Sequence, residues 1–119
     1  MNVSSLKTSA SGTLYTCPAG TVAEVELVAM EAGSGTLDVV SNGITTSWMS
    51  GGAALLRTSF TQASGQSSAA SDNSFVEDTG GSNFVMRPRF VKLTAGDTIS
   101  MAAARKCSLV IYEETTGTH

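Results

Sequence analysis

Short runs of alternating apolar and polar residues, each closed by a glycine- or proline-centred turn, fill most of this chain at roughly 8–12-residue spacing. Thr13-Leu14-Tyr15-Thr16-Cys17 is a β-prone run stopped by Pro18-Ala19-Gly20. From Val22 to Met30, a strand would put Ala23, Val25, Leu27 and Ala29 on one face and Glu24 and Glu26 on the other. The same residues could instead open a helix, because Thr21-Val22-Ala23-Glu24 has a capping-box pattern and Gly33 would stop it. The strand is preferred because its neighbours all read as β.

Leu37-Asp38-Val39-Val40 and Ile44-Thr45-Thr46-Ser47-Trp48 flank Ser41-Asn42-Gly43. Asn-Gly tolerates the positive φ angles of a type I′ turn, so a hairpin is expected there. Ser74-Phe75-Val76-Glu77, Asn83-Phe84-Val85-Met86 and Phe90-Val91-Lys92-Leu93 read as further strands. Pro88, which has no N–H to donate, belongs at a sheet edge or strand start. The turn Thr94-Ala95-Gly96-Asp97 leads into Thr98 to Ala103, and Ser108 to Tyr112 closes the fold. Similar Ala-Gly turns near both ends suggest that the terminal strands lie side by side.

The expected fold is all-β: a single-domain antiparallel β-sandwich, jelly-roll-like, with about eight short strands. Its expected limits are an N-terminal arm at 1–12, the sandwich at 13–113 and a polar tail at 114–119. The polar, low-complexity stretch 61–74 is expected to be a flexible loop within the sandwich.

Composition supports a packed globule: 41% of the 119 residues are hydrophobic and only 14% are charged. No apolar run reaches the ~18 residues that span a bilayer, so no membrane partner is expected. The first residues lack a basic stretch followed by an apolar one, so the expectation is synthesis in a cytoplasm. Net charge is −3, which gives no pull towards nucleic acid. Cys17 and Cys107 share no metal-type spacing and read as small, half-buried hydrophobes. A disulfide between them would need their Cα atoms within about 7 Å.

The residue chemistry argues against an enzyme. The one histidine, His119, is the last residue, so the commonest general base and metal ligand is missing from the interior. Glu24/Glu26 and Glu113/Glu114 read as solvated strand carboxylates, not as acid–base pairs. Asp72, Glu77 and Asp78 match no calcium loop, and Gly33-Ser34-Gly35 lacks the helix and lysine of a phosphate cradle. Hence no catalytic residue, no metal and no cofactor are expected.

The remaining candidates are contact residues. Val28 and Met30 continue the Glu24/Glu26 face with apolar side chains that need a cover. Trp48 reads either as core, on the face of Ile44 and Thr46, or as an interface anchor at a strand end. Charge is asymmetric: residues 87–106 carry Arg87, Arg89, Lys92, Arg105 and Lys106 against Asp97 alone. That stretch reads either as internal pairing and solvated faces or as an edge, with Arg87, Arg89 and Lys92 meeting an acidic partner.

Tyr15-Thr16-Cys17-Pro18-Ala19-Gly20-Thr21 resembles the opening phrase of small virion proteins of tailed bacteriophages. Leu93-Thr94-Ala95-Gly96-Asp97-Thr98-Ile99 and Ser108-Leu109-Val110-Ile111-Tyr112-Glu113 are similar to that group as well. The resemblance covers mostly the two ends, roughly a third of the chain. The resemblance implies a jelly-roll subunit, often a homotrimer, that cements or decorates a capsid by binding the major capsid protein; the alternative is a tail, neck or baseplate component. It carries over no catalytic residues. A lectin-like, receptor-binding jelly roll is the competing reading from the binding class.

Overall fold

The two Ala-Gly phrases meet at one corner of the molecule. Cys17 N–H donates to Asp97 O, and Gly96 N–H donates to Cys17 O, each at 2.9 Å. Gly20 (φ 72°) and Gly96 (φ 89°) both take the left-handed geometry that glycine adopts freely. The Asp97 carboxylate closes its own turn by accepting from Thr94 N at 2.9 Å.

The structure is a computed structural model in which residues 1–55, 59–61, 67–69, 74–80 and 83–116 are described. Among these residues there are thirteen strands and no helix. They are β1 (Asn2–Thr8), β2 (Gly12–Thr16), β3 (Thr21–Met30), β4 (Leu37–Ser41), β5 (Ile44–Met49), β6 (Ala53–Leu55), β7 (Ser59–Thr61), β8 (Ser67–Ala69), β9 (Ser74–Gly80), β10 (Asn83–Pro88), β11 (Phe90–Thr94), β12 (Thr98–Met101) and β13 (Cys107–Thr115).

One antiparallel sheet has the order β1-β13-β3-β11 and a second has β2-β12-β4-β5. Each interleaves strands from both ends of the chain, the double Greek-key wiring of a jelly roll. The other strands form an insertion between β5 and β11, with sheets of order β10-β9-β6 and β7-β8. Pro88 does end an edge strand, β10. The expected hairpin joins β4 to β5, with Asn42 and Gly43 at φ 51° and 75°.

Several expected boundaries shift. Residues 2–8, expected as an arm, pair along β13 from Asn2↔Glu113 to Thr8↔Cys107. β13 runs to Thr115, past the expected start of the tail. Within the expected loop 61–74, Ser67–Ala69 pairs with Ser59–Thr61; residues 62–66 and 70–73 lie outside the described residues, as does His119. The jelly roll therefore has eight strands, but β1 is one of them, while β9 and β10 belong to the insertion.

The core joins the two sheets. Ala23, Val25, Leu27, Leu93, Leu109 and Ile111 of the first cluster with Leu37, Ile99 and Met101 of the second. Each large aliphatic side chain so buried contributes about 1.5–3 kcal/mol. Phe75 of the insertion joins the same cluster, so the insertion shares the core.

Two bulges decide which residues reach that core. In β3, Leu27 faces Leu109 and Ala29 faces Ser108, leaving Val28 as the extra residue. Alternation changes parity there: Met30 turns inward and is buried, while Ala29 is exposed. In β5, Met49 faces Leu37 and Ser47 faces Asp38, with Trp48 between them. Trp48 and Met49 are both buried, whereas Ile44 stays 65% exposed on an edge strand. Cys17 and Cys107 are buried free thiols.

Candidate functional site

Strand pairing in the first sheet brings together outward-facing residues that lie far apart in the chain. One row reads Val3, Tyr112, Glu24, Lys92; the next reads Ser5, Val110, Glu26, Phe90. Glu24 and Glu26 share this face because they are two apart on β3.

Glu26 is the hub. Arg89, in the bend before β11, donates to its Oε2 through Nε at 2.7 Å and through Nη2. Tyr112 donates its hydroxyl to Oε1 at 3.0 Å. That bond to Glu26, together with burial, raises the Tyr112 pKa, so the phenol stays protonated. The Arg89 guanidinium carbon also lies 5.9 Å from the centre of the Phe90 ring. A single ion pair, with both side chains about nine-tenths buried, thus moors both aromatic rings.

Beside these rings is a groove of about 610 Å³, lined mainly by Val22, Glu24, Phe90, Lys92, Tyr112 and Glu114. Its lining, which also includes Met1, is largely apolar and carries the Lys92 ammonium and the Glu24 and Glu114 carboxylates. Glu24 and Lys92 face each other in register. The groove can therefore offer a ligand two aromatic side chains, a donor and acceptors.

A second, glycine-rich hollow of about 390 Å³ lies where the insertion joins the jelly roll, lined by Ala32, Gly33, Ser50, Gly51, Gly52 and Asp78 among others. Its surroundings are held by two buried charged residues. Glu77, fully buried, accepts from Ser50 Oγ at 2.7 Å, Gly52 N at 2.8 Å, Ser50 N at 3.2 Å and Arg87 Nε at 2.9 Å. Burial alone would raise its pKa; these bonds outweigh burial and hold the carboxyl below its ordinary range. Arg105 donates through Nη1 to Gly51 O at 2.8 Å and through Nη2 to Gly35 O. Both are fixtures of the fold, bonded to the chain itself, although the buried Arg105 Nε finds no partner among the described residues.

The contact residues expected from sequence separate into distinct places. Arg89 and Lys92 meet at the groove, one beneath it and one in its wall. Arg87 is 24% exposed and neutralises Glu77, so it is not a free edge charge. Met30 lies in the core, opposite Cys107. Trp48 is core as well, not a surface anchor: it is 2% exposed and its indole N–H donates to Pro88 O at 2.6 Å. Val28 is half-buried in its bulge. Tyr112 and Phe90 were not singled out by sequence, and Glu26 read as a solvated carboxylate although it is buried, because their meeting depends on pairings across 63 and 86 residues.

Among the described residues, no set of three or more His, Cys, Asp or Glu side chains is arranged to hold a metal. Among the described residues, no helix is long and apolar enough to cross a membrane. Comparison with protein families, curated proteins and solved structures returned no match.

Proposed function

We propose that this protein is a non-enzymatic virion subunit, most concretely a capsid cement or decoration protein that binds the major capsid shell as a homotrimer. The observation that carries the reading is the outer edge of the insertion. Among the described residues, β10 pairs with β9 on one side only, and Val85 and Met86 are exposed along it. Exposed apolar edge strands are an aggregation hazard that natural proteins cover, and assembly is one way to cover them. Two of the phage-like phrases support the same reading: they build the corner where β2, β3, β11 and β12 cross between the sheets. A subunit of this kind adds contacts across the shell without doing chemistry.

The test has two parts. Light scattering of the purified chain should give near three times its 12.2 kDa mass. Mass spectrometry of heads and tails separated from virions of the encoding phage should find it in the heads. Its absence from the heads overturns the reading, and a stable monomer both in solution and on particles removes the trimer.

A further inference from the structure

We infer that the groove over the first sheet is a binding site for a neutral saccharide, read by Tyr112 and Phe90 through their rings and by Glu24 and Lys92 through hydrogen bonds. This goes beyond the shell-binding reading and does not depend on it.

The chemistry of the lining selects the ligand. A purely apolar ligand would strip water from Glu24 and Lys92 and return no hydrogen bond, which is costly for charged groups. An anion would meet Glu24 and Glu114, and a cation would meet Lys92. An extended peptide docks by pairing its main chain at a sheet edge. The edge here is β11, which carries Phe90 and Lys92, and a peptide paired there would lie beside the sheet; Tyr112 and Glu24 stand on β13 and β3, which are paired on both sides, so over the face itself side chains must do the reading. A polyhydroxylated ring satisfies the whole set. Its hydroxyls donate to the Glu24 carboxylate and accept from the Lys92 ammonium, while its C–H face lies on an aromatic ring.

The site is also built in advance. Glu26, only 8% exposed, holds Tyr112 by its hydroxyl and Arg89 by its guanidinium, and Arg89 in turn stands against Phe90. Moored rings need not be ordered on binding, which lowers the entropic cost. At about 610 Å³ the groove falls within the usual range of ligand sites, roughly 300–1,000 Å³, and has room for a short oligosaccharide.

The test is a nuclear magnetic resonance titration of the isotope-labelled full chain. Its probes are neutral oligosaccharides of glucose, galactose and N-acetylglucosamine, with tetralysine as the competing class. At least one saccharide should shift, saturably, the amides of Val22 to Glu24, Phe90 to Lys92 and Tyr112. Lys92→Ala and Glu24→Gln should each weaken that binding about tenfold, the effect of losing one charge-assisted hydrogen bond. Both positions are solvent-accessible, so the rest of each variant's spectrum should match the parent's. The inference is overturned if no saccharide shifts these amides, if shifts appear elsewhere or are unchanged in both variants, or if tetralysine alone produces them. Because the measurement uses the free chain, its failure leaves occupancy on virions untouched.

Discussion

Arg87 donates its Nε–H to Oε1 of Glu77 across 2.9 Å, linking the two long strands of the insertion sheet by a charge pair whose carboxylate is wholly buried. Since Glu77 also gathers Ser50 and Gly52, it fastens the insertion to the turn that follows β5.

Removing this carboxylate should therefore loosen the insertion. Glu77→Ala leaves Arg87 and the Ser50 and Gly52 amides without their acceptor, and is expected to cost about 3–5 kcal/mol in denaturant unfolding. The pH dependence has a definite sign. The folded carboxyl titrates below its ordinary range, so between the two values the unfolded chain binds more protons. The contribution is complete above the ordinary glutamate value of about 4.3 and fades as pH falls through the lowered native value. Glu77→Gln should flatten that acid limb. An acid limb as steep as the parent's would assign it to other carboxylates, such as Asp97.

Gly52 should tolerate no side chain. A Cβ there would stand 1.7 Å from the carbonyl oxygen of Asp78, a backbone atom with no rotamer to move. Gly52→Ala is expected to cost at least about 1–3 kcal/mol and to shift amide resonances across the β6–β9 pairing. Gly43→Ala is the control, because its Cβ meets nothing within 4 Å and only the turn's positive φ opposes it. Equal losses for the two variants would mean that the contact with Asp78 does not matter.

How far the sequence anticipated this molecule follows from the range of each interaction. The Asn42-Gly43 hairpin and the Gly20 and Gly96 turns were legible because their signals are local. Asn2 to Thr8 was misread as an arm because it offers only Val3 and Leu6; its strand state comes from β13, about a hundred residues away. Met30 and Ile44 were assigned to the wrong side because bulges change the parity that period-two reasoning assumes. The groove was half legible. Glu24, Glu26 and the basic stretch were visible as charges, but nothing local pairs Glu26 with Arg89 instead of with solvent.

Both thiols should be silent in the folded protein. Cys17 and Cys107 are buried and unbonded, and burial pushes Cys107 up to about 11. Burial also raises Cys17, helped by the nearby Asp97 and Glu113 carboxylates. At pH 8 a disulfide reagent should label neither residue until denaturant is added, since the thiolate is the nucleophile. Rapid labelling of one thiol in the native state would show that its strand end opens on that timescale. A crosslink formed without unfolding would contradict their separate burial.

The first strand supplies the last prediction. Deleting residues 2 to 12 removes more than a tether, because β1 covers the outer edge of β13 along seven paired positions and packs Leu6 against the core. The loss of Leu6 burial alone should lower stability by about 1–2 kcal/mol. The strand's removal also opens the edge of β13, which carries Leu109, Val110 and Ile111. An uncovered edge with that composition is a template for pairing with another chain. The truncated protein should therefore unfold at lower denaturant and show concentration-dependent light scattering beyond the parent's oligomer. A shortened chain that unfolds with the parent and stays at the parent's mass would return residues 2–8 to the role of a dispensable arm. Lys7→Glu separates a charge effect from a pairing effect. It leaves the backbone of β1 intact and should change neither stability nor association if pairing is what counts.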